Sequence, residues 1–318
     1  MRILITGGAG FIGSHLAEAL LARGDQVAVV DCFEPFYAEE AKRRNLAPAL
    51  AAGATLIEAD IRDAGALLGA VRSAGPELVV HLAARPGVGP SLEQPGLYVD
   101  LNVAGTVSVL EACRQAGVAR LVVASSSSVY GLNRSVPFKE TDRTASPASP
   151  YGATKAATEL LCHTYAHLHG QDITCLRFFT VYGPRQRPDM AIHKFARLLT
   201  AGEPVKLYGT GSARDYTYVS DAVDGVVRSL DRVDGFRLYN IGSGRRIELE
   251  TVVEELSKAL GVRPRIEREG WQPGDVVQTL ADIELARAEL GYEAAVPFSE
   301  GVRQFAAWFL AQHGSTVR

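Results

Sequence analysis

The chain has 318 residues, 47% of them hydrophobic, and a formal net charge of −3. That is enough apolar content for a large core, near the size at which one core divides in two, and too little positive charge for a nucleic-acid partner. No apolar run reaches the ~18 residues of a spanning helix, no signal-peptide pattern precedes the first strand, and Cys32, Cys113, Cys162 and Cys175 lack paired spacing. A cytoplasmic location, no membrane, reduced thiols and no bound metal are expected.

In chain order, residues 2–6 form a short β-rich run, followed at once by Gly7-Gly8-Ala9-Gly10-Phe11-Ile12-Gly13 and a helical pattern through Arg23. Strand, glycine turn and helix arrive in the order a dinucleotide site needs. Gly7, Gly10 and Gly13 permit a tight turn, close approach of backbone to a pyrophosphate and close helix packing, while the helix start at Phe11 and Ile12 offers unpaired N–H groups. A second strand at 26–30 ends in Asp31, placed to accept from an adenosine ribose diol. A carboxylate there repels a 2′-phosphate, so NAD is favoured over NADP. Lys42-Arg43-Arg44 could argue the other way, but its helical setting reads as a solvated face.

The alternation continues with a helix at 38–52, a strand at 55–59 ending at Asp60-Ile61, a helix at 64–74 and a strand at 77–82. A helix at 95–116 and a strand at 120–124 follow. Repeated strand–helix–strand units predict an α/β fold, a Rossmann-type doubly wound parallel sheet with helices on both faces. The C-terminal strand ends should form the ligand rim. That rule aligns Gly7, Asp31, Asp60, Ile61, Leu82, Ala83, Ala84, Arg85 and the serines 125–128.

Tyr151 and Lys155 lie four apart at the start of a helix running to about His169, so both fall on one face and the ammonium can favour the ionised phenol. His163, His167 and His169 lack the surrounding pattern of a metal site and read as surface or helix-end residues. A strand at 173–179 ends the regular alternation. Beyond it, prolines and loops mark a second, smaller lobe, which sets domains at 1–180 and 181–318. Arg185, Arg187 and Arg214 lie in its loops and suit a diphosphate. The turn at 242–244 lacks a ribose acid at the right distance and reads as structural. Helices at 248–260, 282–290 and 299–311 complete the chain.

Taken together, Gly7-x-x-Gly10-x-x-Gly13, Asp31, His81-Leu82-Ala83-Ala84, the run Ser125 to Gly131, Tyr151-x-x-x-Lys155, Arg214-Asp215-Tyr216 and Gly274-Asp275 resemble the extended short-chain dehydrogenase/reductases that act on nucleotide sugars. The resemblance covers essentially the whole chain. It is greatest to the UDP-glucuronate 4-epimerases, through residues 31–37, 177–184, 187–190 and 272–275, with UDP-glucose 4-epimerases next. It implies retained NAD, a UDP-sugar substrate and a homodimer built on the helices near 95–116 and 149–169. By resemblance, Ser126, Tyr151 and Lys155 are catalytic, with Tyr151 and Lys155 also touching the cofactor. Arg185 and Arg214 would hold phosphate and Asp275 the uridine ribose, while Arg85, Ser127, Ser128 and Thr180 would face the sugar.

Related dehydratases carry an Asp-Glu pair after the catalytic Thr, and decarboxylating relatives usually a Glu before Val-Tyr-Gly. Ser127 and Ser128 occupy those places and cannot act as carboxylic acids, so elimination is disfavoured. Gly89 stands where glucuronate epimerases usually have Arg, with Arg85 nearby. The competing readings are a dehydratase or decarboxylase, and a non-catalytic NAD-binding regulator of the same fold.

Overall fold

The structure is a computed structural model that describes residues 1–313. The first half alternates strictly: β1 Arg2–Thr6, α1 Phe11–Ala22, β2 Gln26–Asp31, α2 Glu39–Ala51, β3 Thr55–Glu58, α3 Ala64–Ala74 and β4 Leu78–His81. Two short helices, α4 Val88–Glu93 and α5 Pro95–Tyr98, lead through a π-helical stretch Val99–Ala104 into α6 Gly105–Ala116. Next come β5 Arg120–Ser126, a 3₁₀ turn Ser127–Tyr130, α7 Pro150–His169, β6 Asp172–Phe178 and β7 Thr180–Tyr182. The remainder comprises α8 Ala191–Thr200, β8 Val205–Tyr208, β9 Ala213–Tyr218, α9 Val219–Leu230, β10 Phe236–Ile241, β11 Arg246–Glu248, α10 Leu249–Leu260, β12 Ile266–Glu269, α11 Glu284–Leu290 and α12 Phe298–His313.

Seven strands form one sheet in the order β10-β6-β5-β4-β1-β2-β3, every neighbouring pair parallel. The order reverses between β1 and β4, which opens a crevice at their C-terminal ends. Side chains alternate between two buried faces, as they must along an extended strand. Ile3 and Ile5 join one core with Leu16 and Leu20 of α1, whereas Leu4 joins the opposite core with Leu67 of α3 and Leu110 of α6. The expected doubly wound α/β sheet is present.

Several elements differ from the expectations, each for a local reason. The helix expected over 95–116 is present without a gap but widens to a π-helical stretch at 99–104, where Asn102 bonds Arg85 and Thr154 through its side chain and Thr158 through its carbonyl. Residues 88–93, between the end of β4 and the next helix, form the short α4. The strand expected over 173–179 divides at Phe179, after which β7 pairs with β9 in a three-stranded sheet completed by β11. β10 returns from the later part of the chain to the edge of the main sheet beside β6.

Among the described residues, no helix is long and apolar enough to cross a membrane. The turn 242–244 is organised by a buried carboxylate: Asp215 accepts from the backbone N–H groups of Ser243, Gly244 and Ala281 and from the Ser243 hydroxyl. The structural reading of that turn therefore has a physical cause.

Candidate active site

A cavity of about 390 Å³ lies along the C-terminal rim between the main sheet and the loops above it. Its first wall is the glycine turn. Gly7 has φ +73° and packs so closely on the segment after β4 that a Cβ there would lie 2.7 Å from the Ala83 backbone. A Cβ on Gly13 would lie 2.4 Å from the Gly7 carbonyl oxygen, against backbone that cannot yield. α1 begins at Gly10 without a side-chain cap, which leaves its first N–H groups available to an anion. Gly7, Gly10, Phe11, Ile12 and Gly13 all line the cavity.

Asp31 closes β2 on the same rim and accepts from the backbone N–H of Ala9 at 3.0 Å and of Phe33 at 2.8 Å. Burial raises its pKa, and those two donors pull it back. Asp60 and Ile61 also reach the cavity, the Asp60 carboxylate held by Arg62 at 2.7 Å and thereby lowered in pKa. Leu82, Ala83 and Ala84 follow from β4. His81 beneath them is a neutral pin: its ring bonds Thr6 Oγ1 at 2.7 Å and Thr106 Oγ1 at 3.1 Å, and burial lowers its pKa to about 3. These residues present a backbone cradle and a ribose-accepting acid in one groove, which fits an adenine dinucleotide.

The chemistry-bearing residues enter from β5 and α7. Ser126 ends β5 and its hydroxyl accepts from Ser128 N–H at 3.1 Å, which folds Ser127 and Ser128 into the 3₁₀ turn lining the cavity. Ser149 caps α7 by accepting from Gly152 N–H at 3.1 Å, with Pro150 at the first helical position. A Cβ on Gly152 would lie 2.6 Å from the Ser128 carbonyl oxygen, so the first turn of α7 presses directly on the serine run. That contact brings Tyr151, Lys155 and Ser126 to the same wall.

Lys155 is buried, donates to the Ala124 carbonyl oxygen at 2.8 Å, and is lowered by burial to about 8. The Tyr151 phenol is raised by burial, with the Ser126 hydroxyl and the Arg187 charge pulling it down. The expected lowering of the phenol by Lys155 is therefore not what dominates in the protein itself; burial does. Tyr98 meets the Tyr151 ring edge-on, with centroids 6.2 Å apart, and anchors its own hydroxyl to the Pro86 carbonyl at 2.7 Å.

Of the remaining predicted residues, Arg85 and Thr180 line this cavity. Arg85 is paired with Glu34 from across the groove. Arg185, at φ +64°, is paired instead with Glu18 of α1 at 2.6 Å and lies off the cavity wall. Arg214 on β9 and Asp275 in the segment after β12 are electrostatic neighbours, also off that wall. Arg214 donates to Ser212 Oγ and to the carbonyls of Ala213 and Val277.

Three contributors escaped the sequence reading. Asn102 clamps the backbone of Arg85, its Oδ1 accepting at 2.7 Å and its Nδ2 donating at 3.0 Å; an Asn inside a predicted helix was the available signal. Arg187, read only as one of several loop cations, reaches the cavity and pairs with Asp189 at 2.9 Å. Lys42, read as part of a solvated face, is buried, lines the cavity and lies over the Tyr37 ring, whereas Arg43 and Arg44 are exposed. Its position among buried Leu46 and Ala49 on α2 explains the difference.

Residues 3–242 match the NAD dependent epimerase/dehydratase family. A probable UDP-glucuronate 4-epimerase of Rhizobium meliloti (strain 1021) is 41% identical, with 97% of each chain covered. Among solved structures, the UDP-glucuronic acid 4-epimerase of Bacillus cereus in complex with UDP-glucuronic acid and NAD superposes with a TM-score of 0.91 at 34% identity, covering 98% of this chain and 100% of the other. The UDP-glucose 4-epimerase of Thermus thermophilus in complex with NAD gives 0.89 at 35% identity, covering 97% and 99%.

Proposed function

Because the chain belongs to the NAD dependent epimerase/dehydratase family, we propose that it is an NAD-dependent UDP-sugar 4-epimerase whose substrate pair is UDP-glucuronate and UDP-galacturonate. The observation that carries the reading is the convergence of Ser126, Tyr151 and Lys155 on the groove that holds the glycine turn and Asp31, with only hydroxyls at Ser127 and Ser128. The relatives named for UDP-glucuronate support the substrate.

Bound NAD supplies the hydride acceptor, and later the hydride donor, at the sugar C4. Tyr151 takes the proton of the 4-hydroxyl as that carbon is oxidised and returns it when hydride comes back to the other face. Ser126 hydrogen-bonds the same oxygen and stabilises the Tyr151 phenolate. Lys155, fixed to Ala124, holds a positive charge at the base of the site and can donate to the nicotinamide ribose. Thr180, Ser127 and Ser128 offer neutral donors to the sugar's C6 carboxylate, and Arg187 adds a charge. Holding that carboxylate out of alignment keeps the 4-keto intermediate, a β-keto acid, from losing CO₂. Gly7, Gly10, Phe11, Ile12, Gly13, Asp31, Asp60, Ile61, Leu82, Ala83 and Ala84 are the proposed cofactor contacts. Arg185, Arg214 and Asp275 remain the proposed anchors of the nucleotide diphosphate, Arg214 and Asp275 as a pair in the second lobe and Arg185 after exchanging Glu18 for phosphate.

The proposal includes a division at 1–180 and 181–318 with β10 returned to the first domain, a cytoplasmic location, and a homodimer. Exposed Leu160 and Leu168 on α7, 70% and 65% accessible, support a helix-bundle interface. Light scattering of the purified protein reads the dimer directly. UDP-glucose is the second reading, favoured by Gly89 in place of a cation and by the commitment of Arg85 to Glu34. Incubation with UDP-glucuronate, UDP-glucose and UDP-N-acetylglucosamine separately, with product mass and C4 configuration read by NMR, decides. Inversion at C4 of UDP-glucuronate at unchanged mass is expected, and loss of water or CO₂ overturns the reading.

A further inference from the structure

The Glu34–Arg85 ion pair joins two segments that are not neighbours in the sheet. Glu34 follows β2 and Arg85 follows β4, and β1 lies between those strands. Two strand spacings separate β2 from β4, roughly 10 Å, so the pair bridges the end of β1, where the glycine turn begins. Closer to the sheet, the same gap is already closed by Gly7 packing on Ala83. A passage is thus bounded on one side by the glycine turn and on the other by a charged bridge.

Both ends of the bridge are anchored. Phe33 sits at φ +53°, a left-handed conformation uncommon for an aromatic residue, held by its N–H bond to Asp31 and by the Arg43 guanidinium 3.9 Å over its ring. The Glu34 carbonyl accepts from the buried Lys42 ammonium. Opposite, Asn102 fixes both backbone polar groups of Arg85. The Arg85 guanidinium lies 4.9 Å from the Phe36 ring centroid, and its Nε is buried without a partner. A buried guanidinium N–H left unmatched in the cavity that also holds the anion-binding turn is a donor suited to an anionic group there.

We infer that Glu34 and Arg85 form a latch that closes over the pyrophosphate of the bound dinucleotide and retains it between turnovers. This rests on the cofactor assignment made above. Arg85 is thereby a cofactor-retaining residue rather than one that faces the sugar, and Glu34 positions it through the ion pair. An epimerase that returns hydride to the same substrate molecule gains nothing from cofactor exchange, and the latch suppresses it.

The test is the rate of NAD release from the full-length protein, followed by chasing bound NADH fluorescence with excess NAD. Glu34→Gln is expected to release at least ~10-fold faster than the wild type, a change in off-rate of the kind expected when one member of a half-buried charge pair is lost. Glu34→Asp, which keeps the carboxylate that positions Arg85, is expected to release more slowly than Glu34→Gln. All release rates are compared at one ionic strength, because a half-buried pair is screened much less than an exposed one. Equal release from wild type and Glu34→Gln, or release from Glu34→Asp as fast as from Glu34→Gln, overturns the latch. A wild type that binds no NAD at all sinks the cofactor assignment, and the latch with it, whereas one that holds NAD indifferently to Glu34 sinks the latch alone.

Discussion

The Lys155 ammonium donates to the Ala124 carbonyl oxygen at 2.8 Å, tying α7 to the strand whose end carries Ser126. Burial holds this lysine to about 8, below its ordinary value of 10.5. The unfolded chain therefore binds a proton between those values that the folded chain does not, so stability rises with pH through about 8 to 10.5 and carries the full cost below 8. Replacement by a neutral side chain of similar length removes that cost. Lys155→Met is expected to raise stability at pH 7 by on the order of 1–3 kcal/mol, with the gain fading above pH ~10. Turnover should fall by at least ~10². Denaturant melts at the two pH values check the first statement and steady-state kinetics the second; a less stable variant at pH 7 would refute it.

Ser126 acts on Tyr151 in the opposite sense to burial, drawing down a phenol that its surroundings push up. Ser126→Ala should therefore shift the acidic limb of the kcat profile to higher pH and lower kcat by roughly 10–10³-fold. Tyr151→Phe should abolish epimerisation while NAD stays bound. A pH profile that moves to lower values on removing the hydroxyl would contradict the geometry.

The main sheet was legible because its strands are local, apolar and punctuated by Gly7, Asp31 and the serine run, each at a strand's C-terminal end. The rim rule then placed most of the candidate site, since it depends only on where strands stop. What the sequence did not show depends on contacts between distant segments. Asn102 belongs to the site because its side chain finds Arg85, 17 residues away, from a π-helical stretch that the pattern of the helix does not show. Lys42 differs from Arg43 and Arg44 only in which way α2 is turned. Arg185 and Arg187, two apart in one loop, diverge to Glu18 and to the cavity.

Behind the serine run, Arg177 and Glu159 form a buried pair at 2.7 Å, with Ser125 donating to the same carboxylate and Tyr130 accepting from Arg177 at 3.0 Å. Neither charge has water to fall back on, so removing one partner leaves the other stranded. Arg177→Met and Glu159→Leu should each cost about 3–5 kcal/mol, whereas the two combined should cost clearly less than the sum. Urea unfolding of the four proteins measures the coupling; additive losses would show that the pair does not act as a unit.

Arg187 decides between the two sugar readings. Its guanidinium is 18% exposed, shared with Asp189 at 2.9 Å, and near enough to lower the Tyr151 phenol through its charge. A cation on the wall of the cavity that holds Tyr151 is placed to meet a C6 carboxylate, and a hydroxymethyl group would gain little from it. Arg187→Leu is therefore expected to reduce kcat/KM for UDP-glucuronate by roughly 10–100-fold, the worth of a charge-assisted bond of about 1.5–3 kcal/mol, while changing UDP-glucose by less than about threefold. The loss should appear mainly in KM if the contact is made equally in ground and transition states. Equal losses on both sugars would assign Arg187 to tuning Tyr151, and a loss confined to UDP-glucose would reverse the substrate proposed for this site.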